Sequence, residues 1–220
     1  AVDANPDRGT LSDKVRLETA ATVRDLLNEL GQIERYADVR AFTSQATSRL
    51  GLVPTISTSF YPPYLLARLI ATLDLMSDGR VGCNFVTSTA ERAAQNFGLD
   101  AHLEHDLRYE MAAEFVEVVL QLWSSWDDDA IVMDRERGMF VDPAKVRKID
   151  FKGRFFASRG PLNTARPPQG HPVLVQAGSS DTGRRFAARH AEAVFTAHME
   201  KTTAQAFYGD LKALVKAEGR

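Results

Sequence analysis

The chain has 220 residues, of which 44% are hydrophobic and 25% charged, a composition typical of a globular protein. A formal net charge of −2 gives no electrostatic reason to expect binding to nucleic acid or to a membrane surface. No apolar run reaches the roughly 20 residues of a membrane span, and the N-terminal residues lack the order of a signal peptide. Cys83 is the single cysteine, which excludes an intramolecular disulfide and argues against a cysteine-ligated zinc site. We therefore expect a cytoplasmic protein.

The N-terminal residues show the spacing of helices. Apolar residues recur at helical intervals over 11–37, with Ser12 as a plausible N-cap, and a second helical stretch covers about 38–50. No repeat, low-complexity tract or flexible linker divides the sequence. We therefore expect a single domain over residues 1–220.

Short apolar runs then alternate with longer helical patterns. Asp78-Gly79 is expected to end the first of these helices. The predicted elements are a strand over 51–57, a helix over 63–76, a strand over 80–86, a helix over about 106–123, a strand over 172–176, a helix that includes 184–189, a strand over 193–196 and a helix over about 202–216.

The region between the long helix and the strand at 172–176 is predicted to be an irregular insertion, at about 127–170. Lys152-Gly153 is flanked by two apolar runs and predicts a hairpin. Two interpretations stay open for this insertion: it forms a lid, or Asp127-Asp-Asp129 is simply solvated loop charge. Trp123 and Trp126 are expected to be core or interface residues and not a stacking platform for a cofactor.

This alternation indicates parallel β/α units, with four clear strands. A closed eight-stranded barrel typically takes about 250 residues, so this chain is too short to close one alone. The predicted fold class is α/β: a parallel β/α (TIM-type) barrel that is incomplete in this chain.

Three predicted strands run directly into small hydroxyl or glycine residues, namely Ser57-Thr58-Ser59, Thr87-Ser88 and Gly178-Ser179-Ser180. In parallel β/α architectures the working face lies at the carboxyl ends of the strands. Hydroxyl donors at three such ends favour an anion or a polar cofactor. We expect the three ends to converge on one pocket.

The segment from Ala177 to Gly183 opens directly into a helix. Free N–H groups at the start of that helix, together with the hydroxyls of Ser179 and Ser180, are able to hold a phosphate. A helix N-cap without a ligand explains the same residues, because Ser and Asp are favoured there in any case. The local sequence leaves both interpretations open.

A second polar cluster contains His102, His105 and Asp106. Three interpretations stay open: Asp106 caps the long helix beside two surface histidines, the cluster contacts an anion or ligand, or the histidines bind a metal. The metal ranks last because a third ligand is not evident. His105 and Tyr109, four residues apart, share a helical face if the helix begins early.

Several motifs occur in one order along the chain, from about residue 44 to residue 197. They are Gly79-Arg-Val-Gly-Cys-Asn-Phe-Val-Thr-Ser88, Ala94-Gln-Asn-Phe-Gly98, Glu104-His-Asp-Leu-Arg-Tyr109, Leu122-Trp-Ser-Ser-Trp126, Val141-Asp-Pro-Ala-Lys145, Arg159-Gly-Pro-Leu162, Pro168-Gln-Gly170 and Val175-Gln-Ala-Gly-Ser179. In these motifs the sequence resembles one family of bacterial-luciferase-like flavin monooxygenases, the family of the nitrilotriacetate, pristinamycin-synthase and dibenzothiophene-sulfone monooxygenases.

The resemblance implies a barrel that binds reduced FMN at the strand ends and uses O₂ to oxygenate a small organic substrate. It also implies a separate NAD(P)H-dependent flavin reductase as partner, since the chain has no Gly-x-Gly-x-x-Gly fingerprint. A homo-oligomer is expected, and catalytic residues are not assigned. The flavin contacts that the resemblance implies are Thr58, Asn84, Thr87, Ser88, His105, Tyr109, Ser179 and Ser180.

Two departures from the family pattern stand out. Cys83 occupies the position where the family usually has Trp, which predicts a looser barrel interior near the flavin. The family's chains are about twice as long, and Asp3 is only a weak match to an acidic residue of an early strand. Two alternatives therefore stay open beside the monooxygenase: a non-catalytic part of a barrel that self-associates, and a deazaflavin-dependent oxidoreductase of the same superfamily.

Overall fold

The computed structural model describes residues 43–220. The predicted helix at 11–37 with Ser12, most of the helical stretch at 38–50, and Asp3 lie outside the described residues. Residues 43–46 are helical.

Beyond residue 46, the described residues form eight short strands and five α-helices. The strands are β1 Thr55–Ser57, β2 Gly82–Val86, β3 Ile131–Asp134, β4 Met139–Val141, β5 Phe151–Lys152, β6 Ala157–Ser158, β7 Val173–Gln176 and β8 Ala193–Val194. The helices are α1 Pro63–Ser77, α2 Glu91–Asn96, α3 His105–Trp123, α4 Asp181–His190 and α5 Lys201–Ala217.

A four-stranded parallel sheet in the order β1-β2-β7-β8 forms the centre of the fold. The four strands lie in the sheet in the same order as they occur in the chain, as in a β/α barrel. Within the described residues, β1 and β8 are hydrogen-bonded on one side only. The predicted parallel β/α architecture, left open as a sheet, is confirmed.

Alternation along the strands separates the two faces of the sheet. Ile56, Cys83, Phe85 and Leu174 are buried in the core that the sheet shares with α1 and α3. Asn84 lies on the opposite, open face, in register with Thr55 and Val175. The expectation that Cys83 loosens the barrel interior near the flavin is wrong, because Cys83 is fully buried on the helix side, one residue out of phase with Asn84.

Helix α1 begins where its sequence predicts, with Pro63 in the first turn, where a missing N–H costs little. It ends at Asp78, which adopts a left-handed conformation. Within it, the fully buried Asp74 carboxylate accepts a 2.6 Å hydrogen bond from the Gln169 side-chain amide, which also donates to the carbonyl of Val81. This contact fixes the segment before β7 against the sheet.

The region predicted as irregular contains two antiparallel hairpins, β3–β4 and β5–β6. The hairpin predicted around Lys152-Gly153 is present, with shorter strands than its apolar runs suggested. Asp127, Asp128 and Asp129 lie outside the strands and helices, and their side chains are 42%, 86% and 75% exposed, so they are solvated loop charges, as interpreted. Each also pairs with a cation from elsewhere in the insertion. The cations are Arg147, Arg166 and Lys145, respectively.

The two tryptophans at the end of α3 are structural, as predicted. Trp123 is buried in the core and its indole N–H donates to the carbonyl of Ala67 in α1 at 2.9 Å. Trp126 donates to the carbonyl of Leu162 at 2.8 Å. The short helix α2 was not predicted. Among the described residues, no helix is long and apolar enough to cross a membrane.

Candidate functional site

The carboxyl ends of β1, β2 and β7 lie side by side at one edge of the sheet, because the three strands are parallel neighbours. The hydroxyl-rich segments that follow these strands therefore share this edge. The starts of α3 and α4 adjoin it through the contacts described below. Parallel β/α folds build their ligand sites at this edge.

The ends of β1 and β2 are joined by hydroxyl contacts. The Ser88 hydroxyl donates to the Ser57 hydroxyl at 2.8 Å, and the Ser59 hydroxyl donates to the carbonyl of Thr87 at 2.9 Å. Thr58 is fully buried, and its hydroxyl donates to the carbonyl of Val86 at 3.2 Å. The Thr58 hydroxyl thus faces the strand pair, whereas Ser57 and Ser88 are only half-buried.

A buried arginine links the end of β2 to α3. Ser88 has a φ of +55°, a left-handed conformation that is uncommon for serine and that turns its carbonyl toward the helix. The Arg108 guanidinium donates to this carbonyl. Arg108 is nine-tenths buried, and its Nε has no partner among the described residues. The Arg108 side chain places a positive charge beside the hydroxyl pair.

The end of β7 and the start of α4 form a tight cradle around the Tyr109 hydroxyl. A Cβ added at Gly178 would lie 2.9 Å from this hydroxyl oxygen, and one added at Gly183 would lie 2.8 Å from it. Ser180 caps α4 by accepting the Gly183 N–H at 3.1 Å. Glycine at both positions leaves room for the Tyr109 hydroxyl. Ser179 and Ser180 are exposed beside this cradle.

His105 joins the same cluster through both ring nitrogens. Its Nδ1 lies 2.8 Å from the Asp106 carboxylate, and its Nε2 lies 3.4 Å from the Ser180 hydroxyl oxygen. The same Asp106 oxygen accepts the Thr182 hydroxyl at 3.1 Å. The hydrogen bond from His105, and next that from Thr182, hold the pKa of the Asp106 carboxyl below its ordinary value.

The interpretation of Asp106 as the cap of the long helix is wrong. The helix begins at His105, its N-cap position is Glu104, and Glu104 makes no side-chain capping bond. Asp106 instead connects the first turn of α3 to the first turn of α4. The early start places His105 and Tyr109 on one helical face, as predicted, with ring centroids 5.1 Å apart.

The two histidines of the cluster have different partners. The His102 ring stacks on Phe60 at 5.3 Å, and its Nδ1 accepts the Leu103 N–H at 2.9 Å, whereas His105 contacts Asp106 and Ser180. Over residues 43–220, no group of three or more His, Cys, Asp or Glu side chains is arranged to hold a metal ion.

Two side-chain amides of the sheet have oxygens without partners in the described residues. On the open face of the sheet, Asn84 donates to the Thr55 hydroxyl at 3.1 Å, but its Oδ1 has no partner in the described residues. Gln176, the last residue of β7, is buried and its Oε1 likewise has no partner there. Buried polar atoms without partners are uncommon and favour a site completed by another group.

Along α3 and α4, from their first turns to Ala113 and His190, lies a cleft of about 520 Å³. Its lining combines carboxylates with the guanidinium groups of two residues of α4, Arg185 and Arg189. The arrangement as a whole provides hydroxyl, imidazole and phenol donors at one edge, together with a buried positive charge. Such a donor set fits the phosphate of an anionic ligand.

Sequence reasoning identified His105, Tyr109 and Ser180, which the structure brings together, and Thr87 and Ser88, which lie at the neighbouring strand end. It missed Arg108 and Gln176. Both stand inside motifs that were recognised, Arg-Tyr and Val-Gln-Ala-Gly-Ser. A local motif does not show, however, that the Arg108 side chain is buried and that its Nε lacks a partner in the described part of the chain.

The sequence matches the family of luciferase-like monooxygenases over residues 37–220, and the chain belongs to that family. It is 52% identical over 184 residues to a dibenzothiophene-sulfone monooxygenase of Rhodococcus erythropolis, covering 84% of this chain and 41% of the relative. It is 47% identical over 180 residues to the nitrilotriacetate monooxygenase component A of Aminobacter aminovorans, covering 82% and 40%.

Among solved structures, the fold is similar to that of a riboflavin lyase with modified FMN and riboflavin. The TM-score is 0.81 at 44% identity, covering 84% of this chain and 42% of that chain. The resemblance stated from the motifs is thereby confirmed, as is the α/β fold with a parallel sheet. The chain spans about two fifths of the length of the relatives it matches, which agrees with an incomplete barrel.

Proposed function

We propose that this chain forms the FMN-binding part of a two-component monooxygenase that uses reduced FMN and O₂ to oxygenate a small organic substrate. The proposal rests on the cluster at the starts of α3 and α4. There the Tyr109 hydroxyl lies in a cradle that only glycines leave open, next to the Ser180 hydroxyl and the His105 ring. These three groups would hold the phosphate of FMN, and the exposed Ser179 would add a fourth donor.

The neighbouring strand ends would hold the rest of the flavin. The half-buried Ser88 and the Asn84 side chain, whose Oδ1 is unsatisfied within residues 43–220, are the groups that we expect to meet the polar ring edge. Thr87 and Thr58 support these positions from the ends of β2 and β1. When bound, FMN supplies the oxygen chemistry, while the protein binds, orients and excludes water.

A separate reductase would deliver the reduced flavin. The sequence contains no Gly-x-Gly-x-x-Gly dinucleotide fingerprint, and the nitrilotriacetate relative is by name one component of a system. The cytoplasm, where reduced nicotinamide nucleotides are available, is the compartment that suits such a pair. The two relatives are named for different substrates, a sulfone and nitrilotriacetate, so the substrate is proposed only as a small organic molecule.

The open edges of the sheet favour a second candidate, a non-catalytic part of a barrel that self-associates. Within the described residues β1 and β8 each lack an outer neighbour, and unpaired strand edges promote pairing with another chain. A homo-oligomer is compatible with either function. A deazaflavin in place of FMN would use the same edge of the sheet, and it is the less favoured cofactor because the solved relative at 44% identity holds modified FMN.

Flavin fluorescence titration tests the proposal. The chain should quench FMN on binding, and Tyr109→Phe and Ser180→Ala should each weaken FMN binding by about three- to ten-fold, the usual effect of one lost hydrogen bond. Ser124→Ala, at the far end of α3, is the control and should bind FMN as the parent chain does. Failure of this chain to bind FMN would overturn the proposal.

A further inference from the structure

The contacts of Asp106 point to a role that neither the motif pattern nor the family match assigns to it. One carboxylate oxygen accepts hydrogen bonds from two different helices, from His105 Nδ1 at 2.8 Å and from the Thr182 hydroxyl at 3.1 Å. His105 opens α3, and Thr182 stands in the first turn of α4. The Asp106 side chain therefore sets both the spacing of the two helix starts and the orientation of the His105 ring.

The orientation has a chemical consequence. Because the carboxylate accepts a hydrogen bond from the Nδ1–H group, the other ring nitrogen, Nε2, faces the Ser180 hydroxyl 3.4 Å away. Ser180 in turn accepts the Gly183 N–H, which fixes its hydroxyl oxygen at the start of α4. Asp106 thus orients the imidazole edge toward the Ser180 hydroxyl, and the Tyr109 hydroxyl lies close by, next to Gly178 and Gly183.

We propose that Asp106 is a positioning residue that makes this site selective for a phosphorylated flavin over an unphosphorylated one. The inference rests on the function proposed above. Charge alone predicts the opposite effect. A carboxylate near a phosphate repels the phosphate, so removal of the Asp106 carboxylate should by electrostatics tighten FMN binding. A positioning role has the opposite sign: removal of the acceptor oxygen loosens the donors and weakens phosphate binding.

Two substitutions separate geometry from charge. Asp106→Asn keeps an acceptor oxygen at the position that both donors use and removes the negative charge, whereas Asp106→Ala removes both. Asp181→Ala is the matched control. Asp181 stands in the first turn of α4 as Asp106 stands in the first turn of α3. Its side chain is 84% exposed against 80% for Asp106, and it pairs with Arg184 instead of His105.

The measured quantity is the ratio of the dissociation constants of riboflavin and FMN, which isolates the contribution of the phosphate. Asp106→Ala should lower this ratio by at least about five-fold, as expected for lost hydrogen bonds, while riboflavin affinity stays constant. Asp106→Asn and Asp181→Ala should stay within about two-fold of the parent chain. If Asp106→Asn and Asp106→Ala behave alike, or if both tighten FMN binding, the positioning role is wrong.

A measurement without flavin separates this inference from the proposed function. In the flavin-free chain at alkaline pH, ¹⁵N NMR should show the neutral His105 ring protonated on Nδ1, and Asp106→Ala should shift it toward the Nε2-protonated form. An unchanged tautomer overturns the positioning role even if FMN binds. If the tautomer shifts as expected but the chain binds FMN and riboflavin equally well, the phosphate site is wrong. The selectivity assigned to Asp106 is then wrong as well.

Discussion

At the scale of single residues, the candidate site depends on two glycines, which have no side chain, as much as on its polar side chains. Gly178 and Gly183 bring backbone to the Tyr109 hydroxyl, so a methyl group at either position would occupy the space of that oxygen. Neither glycine has a positive φ, so their role here is close approach and not unusual backbone geometry.

Gly183→Ala should weaken FMN binding while leaving the stability of the fold nearly unchanged. A Cβ at this position would lie 2.8 Å from the Tyr109 hydroxyl oxygen and 3.1 Å from that of Ser180, so the phenol must move out of line. FMN affinity should fall by about ten-fold, whereas the free energy of unfolding should change by less than about 1 kcal/mol, because alanine is the better helix former. Fluorescence titration and urea unfolding measure the two effects. Gly209→Ala, with open space around its Cβ position in α5, is the control.

His190, at the end of α4, should make the fold sensitive to acid. Burial lowers the pKa of His190 to about 4, and the positive charges of Arg189 and Arg220 act in the same direction. Because the unfolded chain keeps the ordinary value of 6.5, it binds more protons than the folded chain between about pH 6.5 and 4. The free energy of unfolding should therefore fall as the pH is lowered through this range.

Urea unfolding at several pH values tests this dependence. His190→Gln should flatten the fall in stability between about pH 6.5 and 4, whereas His198→Gln, at an exposed histidine, should leave it unchanged. An unaltered pH dependence in His190→Gln would show that other groups carry the acid sensitivity.

At this scale the sequence was informative about residue types and poor about partners. Ser, His and Tyr at strand ends and helix starts predicted a polar site, since each of these side chains carries a hydrogen-bond donor. The partner of Asp106 in α4 is 76 residues away in the chain, and the link between Arg108 and Ser88 requires a left-handed serine. A local sequence pattern shows neither a contact between residues far apart in the chain nor the backbone conformation of a single residue.

At the scale of elements, α3 carries the site at one end and anchors the insertion along its length. Glu114 accepts hydrogen bonds from the backbone N–H groups of Arg154, Phe155 and Phe156 at 2.9, 2.9 and 2.6 Å. One turn earlier, Glu110 pairs with the Arg154 side chain at 2.7 Å. Two carboxylates on one helical face thus hold the turn between β5 and β6.

Glu114→Gln should release this turn. An amide offers one acceptor oxygen without charge in place of a carboxylate with two, and hydrogen bonds to charged groups contribute about 1.5–3 kcal/mol. Hydrogen exchange at the amides of residues 154–156 should accelerate by about ten-fold or more. Glu117→Gln, which loses only an exposed contact to Gln121, should leave these amides as protected as before. Equal exchange in both variants would contradict the anchoring role.

Elements with strong periodicity were predicted well, and short ones were not. Apolar spacing located α1 and α3 to within a residue, because their buried faces repeat over four or five turns. The six-residue α2 and the two-residue strands of the insertion have no such repeat, and long-range contacts such as that of Glu114 determine where they form.

At the scale of the whole molecule, the sheet is open on one face and at both edges within the described residues. Val53, Val173 and Phe195 are exposed, Phe195 by 67%, and Phe195 directly follows the edge strand β8. Exposed apolar side chains next to an unpaired edge favour association. The sequence predicted an incomplete barrel from length alone, and the strand order agrees with it.

Sedimentation velocity tests this expectation. The chain should self-associate at micromolar concentration, and Phe195→Lys should shift the distribution toward monomer by removing an apolar contact and adding repulsion. Phe140→Lys, at a residue that is 63% exposed on the β3–β4 hairpin, is the matched control. A monodisperse monomer for the parent chain would contradict the expected association.

The structure of the chain with FMN bound would test the central claim most directly, since it would locate the phosphate itself. We expect the phosphate oxygens within hydrogen-bonding distance of the Tyr109 hydroxyl, the Ser180 hydroxyl and His105 Nε2, at the starts of α3 and α4. A phosphate bound at any other place on the molecule, with these three side chains unengaged, would contradict the account.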